Sequence, residues 1–83
     1  MVAAMAEFAL ELYVSRTDAT AARRNAELAR TAAEGTTVRY LRSIFMPEDE
    51  TCFLFFEASS AAAVVDVADR AGLCARVVKA AAW

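Results

Sequence analysis

Apolar and polar residues alternate from Glu7 to Val14, with Phe8, Leu10, Leu12 and Val14 on one side and Ala9, Glu11 and Tyr13 on the other. A period of two predicts a strand with one face buried. The period then changes. Ser15 to Asp18 supplies N-cap residues, of which Thr17 is the expected cap, and the alanine-rich stretch to Glu34 has high helix propensity before Gly35 stops it. Ala19, Ala22, Ala26, Ala29 and Ala33, joined by Leu28 and Ala32, form a stripe of mostly small residues that lets this helix lie close on a sheet, while Arg23, Arg24, Glu27 and Arg30 fall mostly outside it. Strand character returns over 36–46, and Pro47 to Glu50 reads as a turn whose proline cannot continue a ladder. The run 51–57 completes a hairpin. Ser59 or Ser60 then caps a second helix carrying Val64, Val67, Ala68 and Ala71 at helical spacing, Gly72 ends it, and 76–80 is a short last strand.

The order β-α-β-β-α-β is the split βαβ arrangement, an α+β ferredoxin-like sandwich in which a four-stranded antiparallel sheet carries both helices on one face. Residues 6–83 are expected to form this one domain behind a disordered extension at 1–5, with Met1 or Met5 as the start. The third strand adds a constraint. Thr51 to Phe56 reads Thr-Cys-Phe-Leu-Phe-Phe, apolar at odd and even positions alike, so both of its faces need cover. Two helices cover one face. The other is expected to meet a second copy of the chain, as in a dimeric α+β barrel.

If the turn pairs Met46 with Thr51, then Ile44 faces Phe53, Arg42 faces Phe55 and Tyr40 faces Glu57, all on one side. Leu41, Phe45, Cys52, Leu54 and Phe56 take the other side, which is more uniformly apolar and is assigned to the helices with Phe8, Leu10 and Leu12. The outer side then holds Glu11, Tyr13, Tyr40, Arg42, Ile44, Phe53, Phe55 and Glu57. Of these, Ile44, Phe53 and Phe55 are the expected dimer interface. Glu11, Tyr13, Tyr40, Arg42 and Glu57 are the candidate ligand-binding residues: hydroxyl donors and an anion clamp in an apolar cavity. A competing reading makes Arg42 a structural partner of Glu11 or Glu57, within or across the dimer, because charges in an interface need partners.

Composition narrows the chemistry. With 83 residues, 59% hydrophobic and 24% charged, the chain suits a small globular domain whose own core is marginal, so that association would stabilise it. The net charge of −2 and the spread of basic residues among acidic ones argue against a nucleic-acid partner, and no apolar run is long enough for a membrane span. The N-terminus lacks the pattern of a signal peptide, which points to the cytoplasm. There is no histidine, which removes imidazole acid–base chemistry, the Ser-His and Cys-His nucleophile pairs and the commonest transition-metal ligand. Cys52 and Cys74, without Cys-x-x-Cys spacing, read as small buried residues, and Glu48, Asp49 and Glu50 read as a solvated turn rather than a cation site. Trp83 is assigned no function.

The stretch Tyr40-Leu41-Arg42-Ser43-Ile44, the run from Glu48 ending in Phe56-Glu57-Ala58, and Ser60 opening a helix that closes on Ala71-Gly72-Leu73 resemble a small bacterial family of ferredoxin-like proteins. Most of that family is of unknown function, and its best-known type is an actinobacterial nickel-binding protein. The resemblance is clear over the second half and loose over the first strand and helix. It implies the ferredoxin-like fold, a homodimer and a metal role. Arg42, however, stands where the strand motif of the family carries its metal-associated histidine, and a guanidinium cannot ligate a metal. Fold and dimer are therefore carried over, and the nickel site is not. The sequence leads to a homodimeric small-molecule-binding or scaffold protein with no cofactor or metal, taking at most a small anionic or aromatic ligand. The alternative is a cofactor-free monooxygenase or cyclase of the dimeric barrel type, with Tyr13, Tyr40 and Arg42 orienting substrate and Glu11 or Glu57 moving a proton.

Overall fold

Strand β1 (Ala6–Tyr13) pairs antiparallel with β3 (Thr51–Ala58), and β3 pairs antiparallel with β2 (Arg39–Met46). The computed structural model describes residues 5–73 and the backbone of β4 (Arg76–Lys79), which runs antiparallel along the other side of β1 to give the order β2-β3-β1-β4. The expected N-terminal extension before Met5, Cys74, the end of the last strand at Ala80, and Trp83 lie outside the described residues. Helices α1 (Ala19–Ala33) and α2 (Ala61–Ala71) complete an α+β architecture.

The core follows from the alternation. Phe8, Leu10, Leu12, Cys52, Leu54, Phe56 and Ala58 point to the side where Ala22, Ala29 and Ala33 of α1 and Val64, Val67 and Ala68 of α2 close over them. Leu10, Leu54, Phe56 and Val64 are fully buried. Each such large side chain contributes about 1.5–3 kcal/mol relative to exposure. The alanines of α1 do what their size dictates, bringing the helix backbone close to the sheet without a bulky layer between.

Helix boundaries differ from expectation by a residue or two, for identifiable reasons. Asp18, rather than Thr17, caps α1: its carboxylate accepts from the Ala21 amide at 3.0 Å, while the Thr17 amide turns back to Ser15 Oγ. Ser60 caps α2, accepting from the Ala63 amide. α1 ends at Ala33, before Glu34, and Gly35 follows at φ +76°. Thr36 then bridges the exit, donating to the Ala33 carbonyl at 2.6 Å and accepting from the Val38 amide at 3.0 Å. Those bonds hold 36–38 out of the ladder, so β2 begins at Arg39 rather than at 36.

The hairpin register from Met46 to Arg42 is as expected, Met46 opposite Thr51, Ile44 opposite Phe53 and Arg42 opposite Phe55. It then slips. A β-bulge between Tyr40 and Arg42 leaves Leu41 unpaired, and Tyr40 lies opposite Phe56 and Arg39 opposite Glu57. Because side chains alternate, one inserted residue reverses the facing of everything before it. Tyr40 is thus carried to the helix side, where its ring meets Phe56 edge-on with centroids 5.7 Å apart. The expectation that Tyr40 lines the outer face opposite Glu57 is corrected, as is the assignment of Leu41 to a regular helix-side position.

The acidic turn is more than a solvated stretch. Pro47–Asp49 forms a single 3₁₀ turn, and Glu50 follows it in the left-handed conformation at φ +50°. There Glu50 ties the hairpin to the end of β1. Its carbonyl accepts from the Val14 amide at 3.1 Å, and its carboxylate accepts from the Arg16 amide at 3.1 Å and the Tyr13 hydroxyl at 3.3 Å. A left-handed non-glycine residue costs roughly 1–2 kcal/mol, which these bonds offset. We predict that Glu50→Ala, which loses the carboxylate and keeps the backbone cost, lowers stability by about 1–2 kcal/mol, and that Glu50→Gly loses clearly less. Urea unfolding of the two variants beside the wild type checks the order.

Candidate functional site

The sheet face turned away from the helices is built by the odd-numbered residues of β1 and β3 and by Arg42, Ile44 and Met46 of β2. Its centre is already tight within one chain. Ala9 and Phe55 lie opposite each other, are 3% and 5% exposed, and belong to this face rather than to the helix-side core. Phe55 is shielded by its neighbours: the Phe53 ring lies 6.3 Å away, and the Arg42 guanidinium carbon sits 4.3 Å from the Phe55 ring centroid. Around that centre the face is open. Ile44 is 45% exposed, Met46 39% and Tyr13 73%.

Arg42 is held in place by a carboxylate. Its Nη2 donates to Glu7 Oε2 at 2.9 Å, with 46% of the arginine and 34% of the glutamate side chain exposed. Within the chain, Arg42 pairs with Glu7 rather than with Glu11 or Glu57, which corrects the within-chain pairing expected from the straight register. The bulge leaves Arg39, not Tyr40, opposite Glu57, and Arg39 Nη1 lies 3.9 Å from Glu57 Oε1. Glu11 is placed opposite Phe53 on one side and in register with Arg76 of β4 on the other. Glu7 was legible in principle, since the same alternation that exposes Glu11 and Tyr13 puts it on their face. What hid it was its place at the strand end, outside the hairpin from which the face was assembled.

The structure thus brings Arg42, Phe53, Phe55 and Ile44 together on one face with Glu7, Glu11 and Glu57 around them. It separates off the other two candidates. Tyr13, on the same face, is engaged with Glu50 at its edge, and Tyr40 faces the opposite side. Among the described residues no group of three or more His, Cys, Asp or Glu is gathered as a metal site. Cys52 lies in the core, and burial pushes its thiol above its ordinary range.

A small α+β protein with one helix-covered sheet face and one open, partly aromatic face is the class these features define. The family model described as nickel responsive protein SCO4226-like matches residues 7–80, and the chain belongs to that family. No curated protein and no solved structure matches significantly. No helix among the described residues is long and apolar enough to cross a membrane.

The half-exposed ion pair and the stacked ring set the expected cost of losing Arg42. Arg42→Met keeps a long side chain over Phe55 and leaves Glu7 able to hydrate, so it should lower stability by about 1 kcal/mol or less. Arg42→Ala uncovers the ring and should cost more. Thermal and urea unfolding of both variants test this order, and equal losses would show that the charge, not the cover, is what Phe55 requires.

Proposed function

We propose that the protein is a homodimeric scaffold or small-molecule-binding protein of the ferredoxin-like type, acting in the cytoplasm, whose two copies join through the outer sheet face. The observation that carries this reading is the concentration of exposed Ile44, Met46 and Tyr13 beside Phe53 on the face that the helices leave open. A contiguous apolar surface of this kind is costly in water and is relieved by a two-fold contact with itself. The charges suit such a contact. Arg42 over Phe55, with Glu7 beside it, gives each face a cation and an anion to offer its twin, as self-complementary interfaces require. Phe55, expected at the interface, is covered within its own chain and has little surface left to share, so Ile44 is the better place to probe association.

The reading excludes the metal that the family's description implies. The chain has no imidazole, the Cys52 thiol is buried with its pKa raised, and of the acids on the open face Glu7 holds Arg42 and Glu57 is beside Arg39. Nickel and zinc favour nitrogen and sulfur donors and are held weakly by scattered carboxylates. A permanent guanidinium among these carboxylates repels a cation further. The turning of Tyr40 toward Phe56 also removes one of the three groups on which the alternative enzymatic reading placed its substrate.

Sedimentation equilibrium should return a dimer for the wild type at micromolar concentration and a folded monomer for Ile44→Glu, whose side chain is half exposed in the single chain and tolerates charge there. A monomeric wild type would overturn the assembly. Calorimetric titration with Ni²⁺ and with Zn²⁺ should show no submicromolar, stoichiometric binding. Such binding would restore a metal role through ligands other than imidazole.

A further inference from the structure

On the opposite side of the sheet from the outer face, a cleft of about 330 Å³ lies between the first half of α1 and the overhanging strand β2, lined by Arg23, Tyr40, Ser43, Phe45 and Cys52 among others. We infer that this cleft is a binding site for a small organic carboxylate. It has three components that such a ligand needs. The floor is apolar, made by Ala22 and Cys52, both buried, with Phe45 beside them. The donors are a cation and two hydroxyls, Arg23, Ser43 and Tyr40, and neither the Arg23 nor the Ser43 side chain has a hydrogen-bond or ion-pair partner among the described residues. The volume falls within the ~300–1,000 Å³ usual for small-molecule sites.

The cleft has a traceable origin in the sequence. Ala19 and Ala26 line the cleft from α1 on either side of the buried Ala22, and larger side chains at these two positions would fill it. The bulge at Leu41 supplies the other wall, because it turns Tyr40 to this side, where Ser43 is the next β2 residue to face the helices. The single acid at the rim, Glu27, is already engaged by Arg30, so it does not neutralise Arg23. An unpaired guanidinium beside hydroxyl donors favours a carboxylate, and the apolar floor favours an organic one over an inorganic ion. The site lies on the helix side, and the inference stands whether or not the outer faces join.

The test is an amide NMR titration of the intact protein with benzoate as probe and benzamide as its neutral counterpart. Benzoate should produce saturable shifts at Ala22, Arg23, Ser43 and Cys52, with benzamide binding roughly tenfold more weakly or worse. Arg23→Gln, at an exposed position that leaves the fold intact, should weaken benzoate binding by roughly tenfold. Ala26→Leu, which fills the cleft without changing charge, should abolish the shifts. Sedimentation of the same samples separates this result from the state of assembly. Absence of saturation at millimolar benzoate, equal binding of benzamide, shifts confined to Ile44 and Phe53 on the other face, or undiminished binding in Arg23→Gln would each overturn the assignment.

Discussion

Phe55 and Phe56 are neighbours in a strand, so they must point to opposite faces of the sheet, and both are nearly inaccessible to solvent. Much of the molecule follows from that demand for two apolar coverings. Phe56 receives its cover from the helices: Val64 and Val67 of α2 and the alanines of α1 belong to the same buried cluster. Phe55 has no helix over it. Its cover comes from within the face, from Phe53 and from the guanidinium of Arg42, which Glu7 holds in position. The arrangement satisfies one aromatic ring and leaves Ile44, Met46 and Tyr13 at its margin in water.

The bulge between Tyr40 and Arg42 divides labour between the two faces. On its hairpin-turn side, Arg42 and Ile44 serve the outer surface. Beyond it, Tyr40 joins the helix side and packs edge-on against Phe56. Had Leu41 paired in a straight ladder, it would take the helix-side place opposite Phe56, and Tyr40 would stand on the outer face opposite Glu57 without its ring contact to Phe56. β2 is also an outer strand of the sheet, where an irregularity breaks the regular row of unpaired backbone groups that invites further strand pairing. One inserted residue therefore affects packing, the composition of the open face and the exposure of an edge.

Most of this was readable from residue types. Alternation in β1 and β3 identified the buried set from Phe8 to Phe56, and Pro47, Gly35 and Gly72 marked the breaks, because these signals come from local geometry. The two-faced apolar character of β3 pointed to the open face for the same reason. What could not be read was the bulge. Tyr40, Leu41 and Arg42 each tolerate strand geometry, and nothing in their order distinguishes a straight ladder from one with an inserted residue, since the choice depends on how Tyr40 fits beside Phe56 in three dimensions. The partner of Arg42 was lost with the register. Glu50 was missed for a different reason: an acid in an acidic turn gives no sign that it will adopt a left-handed backbone and gather the Val14 and Arg16 amides.

The central claim is that the outer face of one chain is covered by the outer face of another, and contacts between copies test it directly. A sample mixing isotope-labelled and unlabelled protein, observed by isotope-filtered nuclear Overhauser spectroscopy, reports only proton contacts that cross from one copy to the other. The account predicts such contacts between the methyl groups of Ile44 and Met46 and the rings of Phe53 and Tyr13. Their absence, or intermolecular contacts confined to the surfaces of α1 and α2, would contradict it.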